Sequence, residues 1–297
     1  MDPRFPIYIV SKGRYETIIT MKALDKMGVD YHVVVGPQEY DEYVKVVKGE
    51  ILVLPISYQM DYDTFDSLGD SKSKGPGAAR NFAWAHSMEN GHDWHWVMDD
   101  NIYYFMRMQH NLKIRIYTGT FFRVMEDFVL RYENVGMAGP NYEHFVVRKV
   151  KNPPLILNTR IYSCNLIRND VPYRWRGRYN EDTDLSLRML KDGWCTIQFN
   201  AFLQKKAGTQ TVPGGCSGEF YDEEGTKAKS EMQVKMHPDV SRLVKKFGRW
   251  HHQVSYAPFK RTKLIKKADL EISDTPNNYG MELVGTLPSA NRDKLGE

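Results

Sequence analysis

The chain opens on a short apolar run, Phe5 to Val10, cut off by the polar stretch Ser11-Lys12-Gly13-Arg14. A run of that length bounded by polar turn residues predicts a buried strand. Ile19, Ala23 and Met27 then share one helical face, and Gly28 is placed to end that helix. Tyr31 to Val35 predicts a second strand, closed by Gly36-Pro37. Tyr40, Tyr43, Val44 and Val47 follow at amphipathic-helix spacing, and Ile51 to Leu54 predicts a third strand. This β-α-β-α-β opening predicts an α/β fold, a mainly parallel sheet with helices on its faces.

Residues 57–74 are polar and irregular and read as a loop over the sheet edge. Gly75-Pro76-Gly77 opens an Ala-rich helix running to Asn90, with Ala79, Phe82 and Ala83 on its apolar stripe and Gly91 at its end. The aromatic run from Trp94 predicts a fourth strand that stops at Asp99-Asp100-Asn101. Phe121, Val124, Met125 and Phe128 mark another helix. Asn134 to Ala138 reads as a short strand, and Leu155 to Arg168 as a longer strand or hairpin arm. Asp182 to Leu190 predicts a short helix before Gly193, and Trp194 to Phe199 a last strand. Residues 208–225 are glycine-rich but lack the lysine and spacing of a P-loop, which leaves a mobile lid or a solvated connector. Beyond residue 255 come a basic segment (Lys260, Arg261, Lys263, Lys266, Lys267) and a polar, loosely held tail.

With 297 residues and 41% hydrophobic content, a sizeable core is expected. No apolar run approaches the ~20 residues of a membrane span, and no apolar leader region follows Met1. Cys164, Cys195 and Cys216 are scattered and odd in number, which suggests reduced thiols rather than a disulfide frame. Together these features predict a cytoplasmic protein without membrane contact, in a host cytoplasm if phage-encoded. A net charge of +4 permits an anionic partner without demanding one.

Acidic residues at the end of a buried strand sit where open α/β sheets place ligands. Asp99, Asp100 and Asn101 offer oxygen donors suited to Mg²⁺ or Mn²⁺ and, through the ion, to a diphosphate; a polar turn capping the strand is the plain alternative. Gly75-Pro76-Gly77 lets the free N–H groups of a helix start approach an anion, and Arg80 is within reach of a diphosphate or a base. Glu181 and Asp182 open a helix, where the dipole favours carboxylates and where one of them is well placed as a general base.

Taken in chain order, these segments resemble glycosyltransferases of the GT-A type. The most specific is Glu181-Asp182-x-Asp184-Leu185-x-x-Arg188 with Gly193, similar to the acceptor-side motif of inverting members. The resemblance implies a Rossmann-like GT-A domain over residues 1–255, with a nucleotide-sugar half (1–110), an acceptor half (111–255) carrying the 208–225 lid, and a C-terminal extension over 256–297. It implies that Ser11, Lys12, Arg14, Gly75, Arg80 and Asp99 contact a UDP-sugar. It also implies that Asp100 and Asn101 hold Mn²⁺ or Mg²⁺, with His237 as a further ligand (His251 and His252 as rivals), and that Asp182 acts as base beside Glu181. The family's third acidic position is Asn101 here, and an uncharged amide points to a weakly held or dispensable metal.

Just before that base, arginines alternate with aromatics in Arg174-Trp175-Arg176-Gly177-Arg178-Tyr179. Arginine suits phosphates and aromatic rings suit unpaired bases, so this stretch reads as a nucleic-acid contact, with Trp175 or Tyr179 filling the gap left by a flipped base. The alternative is an exposed hairpin with Trp175 packed inward. A narrower resemblance runs from Ser11-Lys12-Gly13-Arg14 through Gly214-Gly215-Cys216 and Met236-His237-Pro238 to Trp250-His251-His252. It is similar to phage glycosyltransferases associated with TET-like base oxidases. That implies transfer to a hydroxymethylated DNA base of the 5-hydroxymethylcytosine type. Glycan, lipid-linked or protein acceptors, a nucleotidyltransferase, and a nucleic-acid-binding module on an inactive transferase fold are the rival readings.

Overall fold

Strand β1 (Ile7–Val10) lies between β2 (His32–Val35) and β4 (Trp94–Asp99), and β3 (Glu50–Val53) lies outside β2, all four parallel. The first helices, α1 (Ile19–Met27), α2 (Tyr40–Val44), α3 (Ile56–Met60) and α4 (Gly77–Glu89), occupy the connections between them. The computed structural model describes residues 1–69, 73–148, 152–208, 226–246 and 248–270. Met1–Ile265 form one compact unit. Of the second unit, Lys266–Glu297, residues 266–270 are described and include a turn in which the Leu270 N–H donates to the Lys267 carbonyl.

The remaining strands are β5 (Ile102–Gln109), β6 (Leu112–Ile116), β7 (Val135–Tyr142), β8 (Leu155–Leu157), β9 (Cys164–Arg168) and β10 (Cys195–Lys206). The sheet order is β3-β2-β1-β4-β9-β7-β10-β5-β6, with β8 paired to β10. Only β5, β8 and β9 oppose the common direction, so the sheet is mixed but mostly parallel. Helices α5 (Thr120–Val129), α6 (Glu181–Lys191) and α7 (Lys227–Met236) complete the layers. No helix among the described residues is long and apolar enough to cross a membrane.

Alternation along the strands divides the core into two faces. Ile7, Ile9, Val33, Val35, Trp96 and Met98 pack against α1 and α5 through Met21, Leu24, Phe122 and Met125. Tyr8, Val10, Val34, Val97 and Ile167 point the other way, onto α4 and α6 through Ala83, Trp84, Leu185 and Met189. Burial on both sides is why these strands read as unbroken apolar runs.

Several expectations change. The segment read as a 57–74 loop contains α3. The Leu155 to Arg168 strand divides into β8 and β9, which lie apart in the sheet. The final strand continues past Phe199 to Lys206, bending through register shifts that let it pair with β7, β8 and β5. The β5–β6 hairpin was not foreseen. Its tip, His110-Asn111, has φ of 46° and 60°, and a His-Asn pair is a weaker signal for that turn than Asn-Gly. Residues 209–225 of the expected lid, Cys216 among them, lie outside the described residues. Cys164 and Cys195 are buried thiols without a disulfide.

Candidate active site

The carboxyl ends of β1, β4 and β10 meet the starts of α4 and α6 around a cleft of about 800 Å³. Ser11, Lys12, Arg14, Gly75, Arg80, Asp99, Asp100, Asn101, Glu181 and Asp182 all line it. Residues separated by up to 171 positions, from Ser11 to Asp182, are therefore brought to one place. The turn after β4 is pinned to α1: Thr20 Oγ1 donates to the Asp99 carbonyl (2.7 Å) and the Thr20 N–H donates to the Asp100 carbonyl (3.2 Å). At the start of α4, Gly77 has no room for a side chain, because a Cβ there would lie 1.9 Å from the Tyr62 hydroxyl.

The strand-end carboxylates are matched by cations of the chain itself. Arg80 donates to Asp99 Oδ1 at 2.7 Å, and Lys206 reaches Asp99 Oδ2 at 2.5 Å. Burial alone would raise the Asp99 pKa, but Lys206 and Arg80 outweigh it and hold the carboxyl below its ordinary value. Asp100 pairs with Arg14 through Oδ1 and accepts from Ser11 Oγ through Oδ2 at 2.6 Å. Burial dominates there and raises the Asp100 pKa despite Arg14. Ser11 also bonds the Tyr43 hydroxyl at 2.6 Å, and that hydroxyl accepts the Arg14 N–H at 3.0 Å, so α2 braces this corner.

Arg80 is the link between the two sides. Its other guanidinium nitrogen donates to Glu181 Oε1 at 2.8 Å, and its Cζ lies 4.7 Å from the centre of the Trp175 ring. Glu181 is pushed toward protonation by burial, and Arg80 opposes that shift. Helix α6 begins at Glu181 after Asn180, which adopts a left-handed φ of 57° and donates to the Lys229 carbonyl at 2.7 Å. Asp182 differs from its neighbours. Its Oδ1 accepts from the Thr183 N–H (2.7 Å) and hydroxyl (3.2 Å), and it forms no ion pair among the described residues.

His237 is not brought to this site, which corrects its expected role as a ligand. Its Nε2 lies 3.0 Å from Asp184 Oδ1 and its Nδ1 lies 3.0 Å from Lys191 Nζ, so both ring nitrogens are engaged behind α6. His251 and His252 sit on a separate hairpin and do not line the cleft either. Among the described residues, no group of three or more His, Cys, Asp or Glu is placed to hold a metal ion. All four carboxylate oxygens of Asp99 and Asp100 have cationic or hydroxyl partners, and of this strand-end trio Asn101 Oδ1 alone lacks one among the described residues. One amide oxygen does not make a divalent-cation site, so the Asp99-Asp100-Asn101 trio, with its carboxylates already paired, does not fit the expected Mn²⁺ or Mg²⁺.

The arginine-aromatic stretch is also corrected. Trp175 is buried at 2% exposure behind Arg80 and cannot stack on a base. Arg178 is fully buried, pairing with Asp66 at 2.7 Å and donating to the Ser73 and Gly69 carbonyls. Arg176 pairs with Asp184 at 3.1 Å, and Arg174 lies over the Trp84 ring. Tyr179 is buried but does reach the cleft wall. Arg178 thus holds the loop before α4 while lining the cleft beside Tyr179, Arg176 braces α6, and Arg174 lies against α4. Arg174 is exposed, Arg176 half-buried and Arg178 buried.

Cleft residues that sequence reasoning missed are Lys206, Arg160, Tyr142, Tyr162 and Lys229. Arg160 stacks over Tyr162 at 4.9 Å and has no ion pair among the described residues. Burial works against its charge, and Asp182 is the carboxylate that most supports it. Nothing in local sequence marks these positions: Tyr142 and Lys206 reach the cleft through strand register, Arg160 and Tyr162 through the irregular stretch between β8 and β9, and Lys229 through α7.

A family model described as TET-Associated Glycosyltransferase matches residues 5–215. No curated protein matches the chain.

Proposed function

We propose, from the premise that this chain belongs to the TET-associated glycosyltransferase family, that it moves a sugar from a UDP-sugar to the hydroxymethyl group of a modified DNA base of the 5-hydroxymethylcytosine type. The observation that carries the reading is the division of labour among four clustered carboxylates. Asp99, Asp100 and Glu181 are each held in an ion pair, while Asp182 is not and lines the same cleft.

In this reading the nucleotide lies along Ser11, Lys12 and Gly75, with its diphosphate toward Lys206 and Arg160. Asp182 takes the proton of the base's hydroxymethyl group. The oxygen attacks the anomeric carbon from the face opposite the diphosphate. The bond from that carbon to the diphosphate oxygen breaks, and UDP leaves with the electron pair, inverting the configuration. Lys206 and Arg160 meet the charge that develops on the leaving group, in a partly buried site where such contacts act strongly. No step requires a metal. A base in a duplex must leave the stack to reach so enclosed a cleft.

The test is incubation with DNA containing 5-hydroxymethylcytosine and a panel of UDP-sugars, followed by nucleoside mass spectrometry. A gain of one hexose or pentose on the modified base is the expected result. UDP release without a modified nucleoside would move the acceptor to a glycan, lipid-linked sugar or protein.

A further inference from the structure

Strands β11 (Ser241–Lys246) and β12 (Arg249–Val254) form an antiparallel hairpin outside the family-matched stretch, and it pairs with no strand of the main sheet. Two strands alone are marginally stable in water. Here Val254 and the neighbouring Val240, Tyr256 and Phe259 pack on Leu187 and Leu190 of α6. Ser230 and Gln233 of α7 add hydrogen bonds to the Trp250 carbonyl and the Ser241 hydroxyl. The hairpin is thus anchored on one side and open on the other.

Its charge is of one sign. Residues 240–265 contain seven Lys or Arg and no Asp or Glu. Without those seven, the net charge of +4 would become −3. All seven (Arg242, Lys245, Lys246 and Arg249 on the hairpin, then Lys260, Arg261 and Lys263) are exposed, and none forms an ion pair among the described residues. The arginines of 174–178 contrast with them, since Arg176 and Arg178 are paired internally. At the hairpin end Lys246 lies directly opposite Arg249. Like charges in that position repel, and a polyanion relieves the repulsion. Trp250 stands beside them at 37% exposure, with Lys245 Nζ 6.0 Å from its ring. The surface adjoins the cleft, because α7 beneath it carries Lys229, whose carbonyl receives Asn180 at the start of α6.

We propose that the β11–β12 hairpin and the basic turn after it grip the phosphate backbone of the acceptor DNA beside the target base. The proposal rests on the reading of DNA as acceptor. Exposed cations without ion-pair partners suit phosphates, and each phosphate neutralised releases counterions, which makes the grip salt-dependent.

The test compares the full chain with a Lys245→Gln, Lys246→Gln, Arg249→Gln variant. Binding of hydroxymethylated duplex DNA is measured across a salt series, alongside UDP-sugar binding and transfer to the DNA. UDP-sugar affinity is expected to stay the same, which shows the cleft intact. The apparent KM for DNA is expected to rise about 10-fold or more, and the slope of log affinity against log salt to become shallower by about 2.7, at ~0.9 per phosphate contact. If the parent glycosylates DNA and the variant does so with unchanged KM and salt slope, the hairpin assignment is wrong and the acceptor reading stands. If the parent neither binds nor modifies DNA, the acceptor reading fails and the hairpin assignment with it. Loss of UDP-sugar binding in the variant would instead place these residues in the fold of the cleft and also overturn the assignment.

Discussion

Asp182→Asn exchanges one oxygen for an NH₂ group and removes the charge that the proposed reaction uses. Asp182 Oδ1 accepts two hydrogen bonds from Thr183, and an asparagine Oδ1 retains both. No ion pair is lost, though Arg160 loses the carboxylate that most supports its charge, so stability should fall by less than in Glu181→Gln. A general base typically contributes 10²–10⁴ in rate, so kcat should fall by about that factor, or ~2.7–5.4 kcal/mol of barrier. The KM for the donor should stay the same. Glu181→Gln provides the contrast. It keeps an oxygen for Arg80 but removes half the charge that neutralises a buried guanidinium, a loss of about 1.5–3 kcal/mol. That variant should melt lower while keeping more of its turnover. Single-turnover UDP release and thermal melts on both variants separate the roles. Turnover in Asp182→Asn within about 10-fold of the parent would refute the base assignment. So would a Glu181→Gln variant with an unchanged melt and the larger loss of rate.

Three further outcomes follow from the same geometry. Asp184→Ala leaves Arg176 and Arg188 beside a buried gap; both retain some solvent contact, so we take the low end of about 3 kcal/mol, a fall of roughly 6–12 °C in Tm by calorimetry. An unchanged Tm would mean that the cluster is not stabilising. Turnover should persist after dialysis against EDTA and should not rise with added Mn²⁺, because Arg14, Arg80 and Lys206 already neutralise the strand-end carboxylates; loss restored by Mn²⁺ would show that they exchange those cations for a metal. Burial pushes His95 down to about 4, below its ordinary value of about 6.5. Its contribution to stability is complete above pH 6.5 and is lost as pH falls toward 4, with about 2 kcal/mol gone at pH 5. Denaturant titrations at pH 7 and pH 5 should show that loss in the parent and a flatter response in His95→Gln.

What was legible in the sequence follows from burial. Strands β1 to β4 carry apolar side chains on both faces, so their runs stood out, and the polar residues that end β1 and β4 at Ser11 and Asp99, with Gly75 before α4, line the cleft. Glu181 and Asp182 were visible because a helix start concentrates carboxylates. Arg178 was misread because its partner, Asp66, lies 112 residues earlier in a stretch that looked like plain loop. Arginine beside tyrosine has the same spelling whether it meets a phosphate or a buried carboxylate. Lys206 was missed for a related reason: it enters the cleft only because β10 shifts register between Lys205 and Lys206. The basic hairpin lay beyond Phe199, where mixed charged and aromatic positions gave no clean period.

The Arg80 guanidinium joins the end of β4 at Asp99 to the start of α6 at Glu181, the latter 101 residues further along the chain than Arg80 itself. Its fork reaches two carboxylates at once from a ring-backed position, which the single ammonium of a lysine does not reproduce. The floor of the cleft is therefore set like a gauge block, with the spacing between Asp99 and Glu181 held by one side chain; in the proposed reaction that spacing would separate leaving group from incoming hydroxyl. If the acceptor is the DNA base proposed above, the adjustment to this site falls to the nucleic acid, which would bend and unstack to enter it.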